Sequence, residues 1–162
     1  MSIVIIGHVD SGKSTMTGHI LFKLGVVSKQ IMHKYEKVSE QYGKGSFKYA
    51  WVMDENEEER QRGVTIDIGT NYFKTKTGRQ FTILDAPGHA DFVSNMIRGT
   101  SQADSALLVL EASTGAFESG FFSGGTTKEH ALICRSMGVT QIIVGINKLD
   151  LVNWSQERYE EI

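Results

Sequence analysis

Ile3-Val4-Ile5-Ile6-Gly7-His8-Val9-Asp10-Ser11-Gly12-Lys13-Ser14-Thr15 decides the fold. Its apolar opening reads as a buried strand. The strand runs straight into G-x-x-x-x-G-K-S, the spacing of a P-loop. Gly7 and Gly12 let backbone N–H groups turn inward and approach phosphate with no Cβ in the way. The helix expected from Lys13 adds its positive N-terminal end. Lys13 is a point charge for β- and γ-phosphates, and the Ser14 hydroxyl is a ligand for Mg²⁺. Val9, Asp10, Ser11 and Thr15 complete the phosphate cradle. A Gly-rich turn before an ordinary core helix is the competing reading. The strand before the loop and the helical pattern after it weigh against that turn. The stretch implies a nucleoside triphosphate site in an α/β domain.

A second stretch addresses the base. Gln141–Ile146 reads as a buried strand that delivers Asn147-Lys148-Leu149-Asp150. Guanine carries adjacent N1–H and N2–H₂ donors, which one carboxylate accepts together. Adenine would set an acceptor against Asp150. A site built on hydrogen bonds rejects the analogue that leaves them unmade. Alone, N-K-x-D is a weak signal with a solvated turn as its default reading. Downstream of a P-loop and after a strand, it points to guanine through Asn147, Lys148 and Asp150.

Composition sets bounds. The chain has 162 residues, one domain's length with room for a sizeable core. A net charge of −2 excludes a strongly basic nucleic-acid surface, though not a local ribosome-facing patch. Cys134 is the only cysteine, so no internal disulfide forms. Its apolar helical neighbours predict a packing role in a reducing, cytoplasmic setting. The N-terminal apolar run is too short for a signal peptide, and no membrane partner is expected.

Strands alternate with helices, which predicts a mostly parallel sheet with helices on both faces. Strands are expected at Ser2–Ile6, Ser105–Leu110 and Gln141–Ile146. A hairpin of Thr65–Thr75 with Arg79–Leu84 turns across Lys76-Thr77-Gly78. Helices are expected at Lys13–Leu24, Ser28–Gln41 and Phe47–Arg60, the last carrying Glu57-Glu58-Glu59 as a solvated face. Another runs to Met137, opened by a capping box at Thr126-x-x-Glu129. A final helix begins near Ser155.

The remaining chemistry sits between these elements. Asp85 ends the Phe81–Leu84 run and is placed to orient Mg²⁺ through water. The Gly88 N–H is free to reach a γ-phosphate. Thr65 either completes the Mg²⁺ shell when γ-phosphate is present or is simply a β-branched strand residue. His89, beside the expected γ-phosphate, is a catalytic candidate, although a lone His is more often a surface or core residue.

Together these motifs resemble the translational GTPases of the elongation factor 1-alpha group. Gly7–Thr15, Glu58-Glu59-Arg60-x-Arg62-Gly63-Val64-Thr65-Ile66-Asp67, Asp85-Ala86-Pro87-Gly88-His89-x-Asp91-Phe92 and Asn147–Asp150 carry the resemblance. Ser46-Phe47-x-Tyr49-Ala50-Trp51-Val52, Gly63-Val64-Thr65-Ile66-Asp67-Ile68-Gly69, Phe117-Glu118-x-Gly120-Phe121 and Val152–Arg158 look most like the ribosome-rescue GTPase that partners Pelota. Elongation factor 1-alpha and the release-factor GTPase, which serve aminoacyl-tRNA delivery and termination, share much of this. The resemblance implies a P-loop G domain that hydrolyses GTP to GDP with Mg²⁺ and is stimulated by the ribosome. It also implies that His89 orients the water, Val9 and Val64 gate it, Asp10 organises the phosphates, and Thr65 closes on Mg²⁺. A nucleotide-binding module with negligible turnover is the reading from another class. The family continues past residue 162 into a guanine-capping loop, a last strand and helix, and two β-barrels. The chain is therefore expected to be a C-terminally truncated G domain over 1–162, with Gln141–Ile146 left as an edge through which it self-associates.

Overall fold

The computed structural model describes residues 1–162 except Glu55 and Ser123. Five strands form one sheet: β1 (Ser2–Ile6), β2 (Gly69–Lys74), β3 (Gln80–Asp85), β4 (Ser105–Glu111) and β5 (Gln141–Asn147). Their spatial order is β2-β3-β1-β4-β5. Only β2 is antiparallel to its neighbour, β3. β1 pairs in parallel with β3 (Ile5 opposite Asp85) and with β4 (Ile5 opposite Leu107).

β1 is apolar from Ile3 to Ile6 because the sheet is covered on both sides. Val4 and Ile6 join Leu84, Met96, Leu108 and Cys134 on one face. Ile5 joins Leu21, Met53, Ile83 and Val109 on the other. The first core is roofed by α4 (Val93–Thr100) and α6 (Thr126–Ser136), the second by α1 (Lys13–Lys23). Cys134 packs in that first core, fully buried. α1 stops before Gly25, whose φ of +77° suits the left-handed position after a helix. α2 (Lys29–Gln41) starts at Ser28, whose hydroxyl accepts from the Ile31 N–H. α7 (Gln156–Glu161) starts the same way at Ser155.

Several expectations need correction. Phe47–Arg60 is not one helix: two short 3₁₀ turns, Gly45–Phe47 and Ala50–Val52, precede α3 (Glu57–Arg62). Glu59 is not part of a solvated face. It is 3% exposed, and its Oε1 accepts the Ile66 and Asp67 N–H groups at 2.8 and 3.0 Å. Thr65 lies before β2 rather than in it, because Glu59 takes the backbone donors that a ladder would use. Finally, Gly125 occupies the N-cap of α6 and Thr126 is its first helical residue, so the expected capping box is absent. The Thr126 hydroxyl turns toward the strand ends instead.

Two helices have no counterpart in the sequence reading, α4 and α5 (Ala116–Phe121). α4 carries Gly99 and Thr100 in its buried stripe, a weak periodic signal. Gly99 packs against Ile68, and a Cβ there would sit in ordinary contact with that side chain.

β5 pairs with β4, and among the described residues no strand lies on its outer side. The sequence reads Gln141–Ile146 as a buried strand, and over its first half that is wrong, because neither face is covered. Ile142, Ile143 and Val144 alternate faces yet are 41%, 58% and 54% exposed. This apolar, uncharged edge is a pairing template. The 162-residue chain is expected to sediment as a dimer or larger species at high concentration, and Ile143→Lys is expected to return it to monomer. A parent that stays monomeric would contradict this.

A pH dependence follows from His130, fully buried in α6. Burial first, then the Lys13 and His8 charges, hold its imidazole down at about 4. The unfolded chain binds this proton near the ordinary 6.5, so stability is present above 6.5 and lost as pH falls toward 4. The loss is about 3 kcal/mol. Asp54 and Asp85, raised by burial to about 7 and about 6, act with the opposite sign. His130→Leu is therefore expected to shrink the acid loss between pH 6.5 and 4, read as the difference in urea midpoints. An unchanged difference would exclude a neutral buried His130.

Candidate functional site

The C-terminal ends of β1, β3 and β5 converge with residues 46–65 around one cavity of about 710 Å³. The predicted Val9, Asp10, Gly12, Lys13, Ser14, Thr15, Val64, Thr65, Gly88, His89, Asn147, Lys148 and Asp150 all line it. Ser11 and Asp85 are buried at the same strand ends.

The P-loop backbone is held in unusual conformations. Gly7 has φ +145°, and a Cβ on it would strike the Val109 carbonyl oxygen. Asp10, which has a Cβ, is also left-handed at φ +59°. Such strain persists only where the surroundings over-determine it. Asn147 supplies part of that restraint: its Nδ2 donates to the Ser11 carbonyl at 2.9 Å. The Asn147–Asp150 stretch and the P-loop are thus one hydrogen-bonded unit.

Lys13 is buried, and its Nζ donates to the His8 carbonyl at 2.7 Å. Burial pushes its pKa down to about 8, against the attraction of Asp85 and Asp10. A Cβ on Gly88 would collide with Lys13 Nζ. It would also crowd the Gly7 carbonyl oxygen, so glycine lets the loop after β3 lie close against the P-loop.

Oxygen donors gather beside Lys13. Ser14 Oγ and Thr65 Oγ1 are 3.0 Å apart, and Thr65 Oγ1 donates to Asp54 Oδ1 at 3.3 Å. Asp85 is fully buried, and neither of its carboxylate oxygens has a hydrogen-bond partner. Burial raises Asp54 to about 7, helped by the charges of Asp85 and Glu59, and raises Asp85 to about 6. A cation placed here would favour both ionised carboxylates. The all-oxygen donor set suits a hard ion such as Mg²⁺. Among the described residues, no three His, Cys, Asp or Glu side chains form a metal cage. An ion here would need other ligands as well, as Mg²⁺ does when it binds through phosphate and water.

His89 stands on the same cavity wall as Val9 and Val64. Its ring does not point freely into the cavity. Nδ1 accepts the Asp91 N–H at 3.2 Å, and the ring rests on Phe92 at 5.8 Å between centroids. At the far end, Lys148 has φ +60°, and its Nζ donates to Glu111 Oε2 at 2.8 Å. This pair joins the ends of β4 and β5. Asp150 follows in a 3₁₀ turn, Leu149–Val152, with its side chain exposed on the cavity wall.

Compared with known proteins, the whole of residues 1–162 matches the elongation factor Tu GTP binding domain. The chain belongs to this family. It is a G domain of the translational type, and its sheet is the mostly parallel one that the P-loop implied. It is 58% identical over 160 residues to Protein HBS1 of Drosophila melanogaster, covering 99% of this chain and 24% of that protein. It is 56% identical over 163 residues to elongation factor 1-alpha of Plasmodium falciparum, covering 100% of this chain and 36% of that one. Among solved structures, sup35 complexed with GDP is 38% identical, with a TM-score of 0.63 over 99% of this chain and 30% of that chain. The G domain therefore spans about a quarter to a third of these relatives.

The structure gives Glu59 and Arg60 roles that the sequence does not assign, and adds Asp54. Glu59 clamps the loop after Thr65, and the spacing Asn56-x-x-Glu59 is the signal that marks it; Glu59 Oε2 accepts the Asn56 N–H at 3.4 Å. Asp54 is braced by Arg60, whose Nε donates to the Asp54 carbonyl at 2.8 Å. Arg60 itself lies over the Tyr35 and Trp51 rings, at 5.2 and 5.5 Å. No local pattern distinguishes Asp54, because its role depends on bringing Thr65 back beside it.

Proposed function

We propose that this G domain is the GTP-hydrolysing switch of a translation factor acting in ribosome rescue with a Pelota-type partner. One observation carries the GTPase part: Lys13, Gly88, His89 and Asp150 share the wall of one cavity. In this reading Lys13 and the P-loop hold the phosphates, and Asn147, Lys148 and Asp150 select guanine. Ser14 and Thr65 would ligate Mg²⁺, and Asp85 would act on it through water. The ion would shield the phosphate charge. His89 leaves its contact with Asp91 to orient the attacking water. Val9 and Val64 bound its approach.

The rescue role is supported by the 58% identity to Protein HBS1 and by the Ser46–Val52 and Val152–Arg158 stretches. The 56% identity to elongation factor 1-alpha supports tRNA delivery as a second reading. The ribosome is the expected stimulator in both. Among the described residues no helix is long and apolar enough to cross a membrane, and a cytoplasmic site of action is proposed.

His89→Ala tests the catalytic assignment. Ribosome-stimulated single-turnover hydrolysis should fall by about 10²–10⁴, the usual worth of a positioned proton-transfer or orienting group. GDP and GTP affinities should stay nearly unchanged, because the group acts mainly in the transition state. A parallel collapse of affinity would mark His89 as structural. A parent that binds GTP without turnover, with or without ribosomes, would favour a binding module.

A further inference from the structure

A buried relay links three separate segments behind the cavity. Thr126, the first residue of α6 and 6% exposed, donates its hydroxyl proton to the Gly88 carbonyl at 3.2 Å. The same oxygen lies 2.9 Å from His8 Nδ1. A hydroxyl has one proton to give, and a carbonyl can only accept. The His8 contact must therefore run the other way, with Nδ1–H donating to Thr126 Oγ1. The order is His8 Nδ1–H to Thr126 O–H to Gly88 C=O, and it requires a proton on Nδ1.

The Gly88 carbonyl belongs to the peptide that carries the His89 N–H. Whatever fixes that carbonyl fixes the plane from which His89 departs. His89 here is folded onto its own turn, with Nδ1 accepting from the Asp91 N–H. We propose that Thr126, oriented by His8, is a positioning residue that holds the Gly88–His89 peptide so that His89 stays folded onto Asp91. Reorienting that peptide means breaking a hydrogen bond in a buried place, which is costly. The brake comes from α6, outside the P-loop and the Asn147–Asp150 stretch. This inference rests on the GTPase reading only for its kinetic consequence.

Thr126→Val keeps the shape and removes the hydroxyl, and Thr126→Ser restores it. The first readout is the His8 ring tautomer by ¹⁵N NMR on the 162-residue chain at a pH where His8 is neutral. The parent and Thr126→Ser should show Nδ1–H. Thr126→Val should revert to Nε2–H, the form imidazoles prefer in water. The second readout is intrinsic single-turnover GTP hydrolysis. Thr126→Val should be about fivefold faster, the factor that one ordinary hydrogen bond is worth. Thr126→Ser should stay near the parent, and GDP affinity should hold in all three. A parent with Nε2–H overturns the relay. A Thr126→Val rate equal to or below the parent's overturns the brake. If the parent neither binds nor hydrolyses GTP, the functional reading fails, while the tautomer result still decides the relay.

Discussion

Asp150→Asn is expected to turn a guanine site into a xanthine site. The carboxylate is the only group in the Asn147–Asp150 turn that offers paired acceptors to N1–H and N2–H₂. An amide presents one donor and one acceptor, which match xanthine, where a C2 oxygen replaces the amine. Asp150 lies exposed on the cavity wall, so its substitution removes no packing. The supports of the turn remain. Asn147 still holds the Ser11 carbonyl, and Lys148 still holds Glu111. Binding should therefore change in specificity and not in fold. Hydrogen-bonding sites reject the mismatched analogue by about 10⁴–10⁵. GDP affinity is expected to fall toward that extent while XDP affinity rises, measured by competition against a fluorescent nucleotide with thermal unfolding as the fold control. Unchanged GDP preference would remove Asp150 from the base site.

Motifs were legible where local backbone alone creates the chemistry. The P-loop needs a strand, glycines and a helix start in one continuous run, and Ile3–Thr15 supplies all three. The same holds for Asn147–Asp150 at the end of β5. Segment 46–65 was not legible. Its apolar residues looked helical, but Trp51 and Met53 are buried by a fold-back that α1, α2 and β3 jointly impose, and short 3₁₀ turns result. Glu59 was misread for a related reason. Glu57 and Glu58 are exposed and Glu59 is buried, and only the position of the returning Ile66–Asp67 backbone tells them apart. Thr126 was read as a cap because Ser/Thr-x-x-Glu has that meaning locally. Its hydroxyl found Gly88 and His8 instead, partners that only the assembled sheet brings near.

Lys13→Met is expected to separate binding from folding in the opposite sense to most buried substitutions. The ammonium is nearly sealed from solvent, and burial depresses its pKa from 10.5 to about 8 despite Asp85 and Asp10 nearby. A lysine shifted this way contributes stability above pH 10.5 and loses it as pH falls through about 8. At pH 7 the nucleotide-free chain therefore carries the full cost of the buried charge, about 3 kcal/mol by the size of the shift. Methionine keeps the apolar stem and removes that cost, at the loss of the bond to the His8 carbonyl. Its unfolding midpoint without nucleotide should match or exceed the parent's. Nucleotide binding should go the other way. Charge-assisted bonds to phosphate contribute about 1.5–3 kcal/mol each, and in the proposed function Lys13 would serve two phosphates. GTP affinity is thus expected to fall by roughly 10²–10⁴, with GDP losing less because it lacks the γ-phosphate. Calorimetric titration beside thermal unfolding gives both numbers. A variant that unfolds early and binds weakly would mean that Lys13 is a structural ion. One that unfolds late and has lost GTP would mean that its buried charge is held ready for the phosphates, at a cost to the fold that nucleotide binding then offsets.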